Sequence, residues 1–190
     1  DMYELAEEHQ AQLVVCGYYI DTYYGEKHLS EKIFVDDKVY TDAQAFREES
    51  YRYFDRNLLY TPWNKLYRLE ELNRYKLRFP NTLWDDFPFN LSYLEHVSRV
   101  VVSTNAYYHF IRARADSETS AYRADMYEKR EEEHGWMLDL YKNWKITSEP
   151  TMEMVSRRYI ERMVGCIANV TSSKCTLNGK ERRREIKKML

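Results

Sequence analysis

Leu13-Val14-Val15-Cys16-Gly17-Tyr18-Tyr19-Ile20 is an unbroken apolar run. A strand with one wet face alternates apolar and polar residues, so a run without a polar position predicts a strand covered on both faces. Val97-Ser98-Arg99-Val100-Val101-Val102-Ser103 is a second strand candidate, rich in β-branched residues. Helical patterns surround and separate the two. Residues 2–11 predict a helix around Leu5. Thr41 opens another, with Gln44 three residues on completing a capping-box pattern, and Ala45, Phe46, Tyr53 and Phe54 form its apolar stripe. Leu66, Leu69 and Leu72 predict a third, and Asp85 begins a fourth that carries Phe89, Leu91 and Leu94.

Short extended or turning segments fill the gaps. Residues 21–30 predict a loop or hairpin turning at Gly25, and residues 32–35 a short strand. Pro80-Asn81 marks a turn. Tyr107-Tyr108-His109-Phe110-Ile111-Arg112 predicts a separate strand after a turn at Thr104-Asn105. From Ser120 onward only helices are expected. One long helix holds Tyr122, Met126, His134, Met137, Leu138 and Tyr141. After Pro150 a second holds Met154, Val155, Ile160, Met163, Val164 and Ile167, and a basic tail helix follows a turn at Asn178-Gly179. The fold class is therefore α/β, helix-rich, with a division into residues 1–119 and a helical region 120–190.

The chain has 190 residues, 44% hydrophobic and 32% charged, the profile of a soluble globular protein. No apolar run approaches a membrane span. The first residues carry neither the basic nor the apolar region of a signal peptide, and a start at Asp1 suggests a segment of a longer protein. Cys16, Cys166 and Cys175 are odd in number and form no C-x-x-C pair, which points to a reducing cytoplasm and away from a disulfide framework or a zinc site. The net charge is −2. Residues 180–190 hold six bases against two acids, a net of +4, which leaves the rest of the chain at −6. An acidic body argues against a nucleic-acid-binding core.

Asp85-Asp86 is the leading chemical candidate. A base that takes a proton from a hydroxyl must reach it and be ionised near neutral pH. The positive end of a helix dipole at residue 85 would hold such a carboxylate anionic, and two adjacent side chains can divide the work, one orienting and the other facing substrate. Asp36-Asp37 falls in a loop and is taken as a turn. Arg112 and Arg114 alternate after an extended stretch, and the planar guanidinium fork suits phosphate oxygens. His109 has no H-x-x-x-H partner and is assigned a structural role. Glu131-Glu132-Glu133-His134 is assigned to a solvated helix face. Phosphate-loop, dinucleotide-binding, zinc-protease and serine-hydrolase motifs are absent.

The flanking residues add a resemblance. Tyr60-Thr61-Pro62-Trp63-Asn64-Lys65-Leu66-Tyr67-Arg68, then Leu77-Arg78-Phe79-Pro80, then Trp84-Asp85-Asp86-Phe87-Pro88-Phe89-Asn90, a valine-rich strand, and Tyr107–Arg112 with Ser117 soon after follow one another in the order seen in bacterial family 2 glycosyltransferases. The resemblance covers most of residues 1–120, and Asp1-Met2-Tyr3 resembles the segment just downstream of that family's D-x-D motif. It implies part of a GT-A (Rossmann-like) layer, the acceptor side of an inverting enzyme that moves a sugar from a nucleotide-diphosphate sugar to a carbohydrate acceptor in surface polysaccharide synthesis. Carried over, Asp86 is the general base and Asp85, where the family more often has Glu, its neighbour. Trp84, Asn64 and Lys65 would meet the acceptor. Arg112 and Arg114 would close over the nucleotide diphosphate. A divalent metal, Mn or Mg, would be held mainly by residues upstream of Asp1, since no D-x-D precedes this region, and this segment alone is expected to bind none.

Three further expectations concern surfaces. The basic tail is either a solvated helix or a contact with the anionic inner face of the membrane. A sheet lacking its upstream neighbours would leave the strand at residues 13–20 with an open apolar edge and favour a homo-oligomer. The alternative to an enzyme is a non-catalytic helical module whose tyrosines, 18 in all, bind a protein partner.

Overall fold

The computed structural model describes residues 1–82, 84–112 and 122–190. Among these, five strands and seven helices form an α/β fold with a helical C-terminal region. The elements are α1 (Met2–Glu8), β1 (Leu13–Tyr24), β2 (Lys27–Ile33), β3 (Lys38–Tyr40), α2 (Ala43–Asp55), β4 (Lys65–Tyr67), α3 (Leu69–Arg74), α4 (Asp86–Leu94), β5 (Val100–Arg112), α5 (Met126–Trp144), α6 (Glu149–Thr171) and α7 (Gly179–Lys188).

The sheet is mixed, in the order β2-β1-β5-β3. β1 runs parallel to β5, from Leu13 opposite Val100 to Thr22 opposite Arg112. On its other side β1 pairs antiparallel with β4 through Leu13, Val14 and Val15, and with β2 from Tyr18 onward. β1 is thus flanked on both sides, and the open edge predicted for residues 13–20 does not exist. The outer edge at β2 is instead a row of exposed polar residues, Lys27, His28, Ser30, Glu31 and Lys32, with Leu29 the apolar exception. Charges along an edge oppose pairing with another copy, so the case for self-association from this strand falls away.

The predicted burial of both faces holds. Leu13 and Val15 enter the main core, while Val14 packs with Val101, Ala6 and Ala11 beneath α1. The main core joins Phe46, Tyr53 and Phe54 of α2 and Phe87, Leu91 and Leu94 of α4 to Met137, Leu140, Tyr141 and Trp144 of α5 and Met154 and Val155 of α6. The change of pattern near residue 120 therefore separates two kinds of secondary structure, and one apolar core spans both.

Several local expectations are corrected. The separate strands at 97–103 and 107–112 are one strand, β5. The predicted turn at Thr104-Asn105 is a bulge, where Cys16 faces Ser103 but Gly17 faces Ala106. Gly17 is required there, since a Cβ would lie 2.7 Å from the Ile33 carbonyl oxygen. Extra β5 residues and a bare β1 backbone let the two strands stay paired past the bulge. α2 is capped by Asp42, whose carboxylate accepts from the Ala45 amide at 2.8 Å, and not by Thr41. Ala45 is exposed. Leu66 lies in β4 and Leu69 is 66% exposed, so the leucine triplet does not form one helix face. In the C-terminal region Tyr122 precedes α5, and Leu138, Ile160 and Val164 are exposed. Asn178 is the N-cap of α7, closing a capping box with Glu181.

Candidate functional site

The Asp85-Asp86 turn is built by contacts around the start of α4. Trp84 takes a left-handed backbone conformation, φ 56°. For a bulky side chain this is an unusual, strained state that surrounding contacts must enforce. The Phe87 amide donates to the Trp84 carbonyl at 3.2 Å and the Phe89 amide to the Asp85 carbonyl at 3.1 Å. Asp85 occupies the N-cap position but makes no capping hydrogen bond, and Asp86 is the first helical residue.

Asn90, one turn into the helix, ties the site together. Its Nδ2 donates to the carbonyls of Asp86 (2.8 Å) and Tyr60 (3.0 Å), and its Oδ1 accepts from the Tyr67 hydroxyl at 2.6 Å. Phe87 stacks on Tyr60 with ring centroids 4.4 Å apart. The Tyr60 loop, β4 and the first turn of α4 are thus fixed to one another.

The electrostatics differ from the sequence expectation. Burial pushes the Asp86 carboxyl up from its usual range and the neighbouring Asp85 charge pushes it further, against a smaller pull from Lys65. The dipole at a helix start was expected to do the opposite. Desolvation prevails because Asp86 is half-buried. Burial also drives the Lys65 ammonium well below the usual lysine range, with Cys16 and Asp86 opposing. Lys65 Nζ donates to Asn64 Oδ1 at 2.9 Å and to the Thr61 carbonyl. Lys65 and Asp86 thus feel each other's charge without forming an ion pair.

The remaining predicted residues fare unequally. Asn64 is fully buried; its amide donates to the carbonyls of Cys16 (2.9 Å) and Leu58 (3.1 Å). With its Oδ1 taken by Lys65 and Thr61, it offers nothing to an acceptor, and its role is corrected to a support for Lys65. The Arg130 guanidinium lies over the Trp84 ring, 3.8 Å from its centre. Arg112 ends β5, exposed, and among the described residues makes no hydrogen bond or ion pair with the Asp85-Asp86 turn. Arg114 lies outside the described residues. Among the described residues no three His, Cys, Asp or Glu side chains converge on a point that could hold a metal.

Two polar clusters were not foreseen. Glu133, assigned to a solvated face, is 6% exposed and pairs with Arg130 and, at 3.1 Å, with Arg162. Burial alone would raise its carboxyl, but the two arginines overcome this and hold it low. His109 shares Asp21 with two other side chains. Asp21 Oδ2 meets His109 Nδ1 at 2.8 Å, while Oδ1 accepts from Ser30 Oγ at 2.6 Å and lies 3.2 Å from His28 Nε2. Asp37 accepts from the Thr104 amide at 2.7 Å and so pins the loop before β3 to the bulge. Asn90 stood in the quoted motif, and a polar residue amid the apolar positions of α4 was the available signal. Pairing across Glu133 and Asp21 depends on distant segments and leaves no local signal. The chain matches no protein-family model and no curated protein.

Proposed function

We propose that this chain is the acceptor-binding portion of an inverting glycosyltransferase that moves a sugar from a nucleotide-diphosphate donor to an acceptor hydroxyl. The observation that carries the proposal is Asp86: a half-buried carboxylate at a helix start, its affinity for a proton raised by burial and by Asp85. A base must hold the proton it takes, and a raised carboxyl pKa brings it closer to the working pH. Asp86 takes the acceptor proton. The Asp85 charge adds to the proton affinity of Asp86, and Lys65 subtracts a smaller amount. Asn90 and the Tyr60–Phe87 stack hold the turn in place. Trp84 directly precedes the carboxylates in the chain, and aromatic faces suit the apolar face of a sugar ring.

The proposal requires a nucleotide- and metal-binding segment encoded upstream of Asp1. The test is transfer by the protein with its upstream coding sequence included, from a panel of nucleotide-sugars onto glycan acceptors, with release of nucleoside diphosphate as the readout. Turnover that depends on Asp86 supports the reading. The absence of any upstream acidic metal motif, together with no transfer, would sink it.

A further inference from the structure

The charge of α7 is sorted by side. Arg182, Ile186 and Met189 face the body of the protein. Arg182 alone donates to the carbonyls of Leu177 (2.9 Å), Cys175 (2.7 Å), Ser172 (3.3 Å) and Thr171 (3.4 Å), and Ile186 and Met189 are half-buried. Asn178 caps the first turn, and the Tyr127 hydroxyl holds the last by donating to the Lys188 carbonyl at 3.1 Å. The helix is therefore fastened along one side and at both ends.

Lys180, Arg183, Arg184 and Lys187 are spaced i, i+3, i+4 and i+7, which places them together on the opposite side of the helix, and all four are exposed. Among the described residues Lys180, Arg183 and Lys187 form no ion pair, and Arg184 lies 3.5 Å from Glu185. Glu181 accepts from the Asn178 amide, and Glu185 pairs more closely with Lys188, at 2.6 Å, than with Arg184. Four like charges on one short face repel each other, and burial of that face within the protein is not what offsets the cost. Leu190, two residues beyond the end of the helix, is 92% exposed.

We propose that this face of α7 docks on an anionic lipid bilayer. A straight helix presenting cations along one side matches a flat anionic surface. A nucleic acid would need cations continuing over neighbouring elements, and the rest of the chain carries a net −6 beside this +4 helix. The attraction falls off within a Debye length, so the docking is salt-sensitive and reversible.

The experiment is co-sedimentation of the full chain with vesicles of phosphatidylcholine alone and of phosphatidylcholine mixed with phosphatidylglycerol. Binding is expected only to the mixed vesicles, and it should be lost as salt rises from about 50 to about 500 mM. Replacing Lys180, Arg183, Arg184 and Lys187 by Glu should lower the partition onto mixed vesicles by about 10²-fold or more. A variant with Lys27, Lys32, Arg56 and Lys142 replaced by Glu carries the same net charge and should keep most of the binding, relative to the α7 variant. Circular dichroism melts of both variants separate loss of the surface from loss of the fold, and the salt dependence of the unaltered chain does not rely on either. No binding to mixed vesicles, equal binding to neutral ones, equal loss in both variants, or tighter binding to duplex nucleic acid than to vesicles would each overturn the proposal.

Discussion

Asp86 and Asp21 are both enclosed carboxylates, yet their environments push them in opposite directions. Asp86 has burial and a like charge against it, and its proton affinity rises. In the proposed transferase, Asp86→Asn keeps the shape and removes the base, so turnover should fall by about 10² to 10⁴ while the melting temperature stays near that of the parent. Asp85→Asn removes the repelling charge but leaves the base, so its effect on rate should be smaller. It should also shift the acidic limb of the pH–rate profile to lower pH, since the Asp85 charge is one of the two causes that raise Asp86. A dead Asp85→Asn beside an active Asp86→Asn would exchange the two roles. Asp21 is held down to about 2, first by the Ser30 hydroxyl and then by His109, with His28 contributing less. A depressed carboxyl stabilises the fold above its unfolded value of 3.8, and that contribution disappears as pH falls through about 2. Asp21→Asn should therefore be less stable than the parent at neutral pH, with the gap closing between those two values. Urea midpoints of both proteins across that range check it, and a gap that stays constant would show that Asp21 acts by packing alone.

α5 and α6 are joined by a charged pair where a seam of apolar residues alone would serve. Glu133 on α5 sits between Arg130 of its own helix and Arg162 of α6, and the Arg162 and Arg158 guanidiniums lie 5.4 and 5.5 Å from the Tyr60 ring centre. Removing one partner of a buried ion pair leaves the others uncompensated, at a cost of about 3–5 kcal/mol. Glu133→Gln should therefore lower stability by an amount of that order, measured by urea unfolding. Glu132→Gln, one residue away on the exposed side and paired with Lys129 at 2.8 Å, should change it by about 1 kcal/mol or less. Equal effects would return the triplet to the solvated role assigned from sequence. That misassignment shows where local patterns stop being informative. Three glutamates in a row look alike along the chain, and only the arrival of Arg162 from a helix further on distinguishes the last one. The strands show the same limit. The β1 run was legible because two-sided burial writes itself into every position, and the α4 start was legible from its acids and the apolar residues behind them. The continuity of β5 was not, because Thr104-Asn105 has the composition of a turn and becomes a bulge only when Gly17 lies opposite. Of the candidate site, the position of the two acids at a helix start was legible from sequence. The enclosure of Asn64 and the upward shift of Asp86 depend on how tightly the Tyr60 loop closes over them.

The apolar core decides whether the chain can be divided where its pattern changes. Phe46, Phe54 and Phe87 come from the first 119 residues, yet their neighbours include Met137, Tyr141 and Val155 from the helical region. Polar ties cross the same boundary. The Ser50 and Tyr141 hydroxyls are 3.0 Å apart, Arg158 donates to the Phe54 carbonyl at 2.8 Å, and Arg157 pairs with Asp55 at 2.7 Å. Cutting at residue 119 would leave α2 and α4 with their buried faces in water. Each large side chain so exposed forfeits about 1.5–3 kcal/mol of burial, and a few such losses rival the whole stability of a domain, about 5–15 kcal/mol. Residues 1–119 expressed alone should therefore fail to unfold cooperatively and should bind a hydrophobic dye, while the full chain shows a single transition by circular dichroism and by tryptophan fluorescence. The Asp85-Asp86 turn would lose its frame in the same step, since Phe87 stacks on Tyr60 and also meets Trp136 of α5. A sharp melt and a dispersed NMR spectrum from residues 1–119 would show instead that the helical region is an appendage, and that the α/β layer holds its site without it.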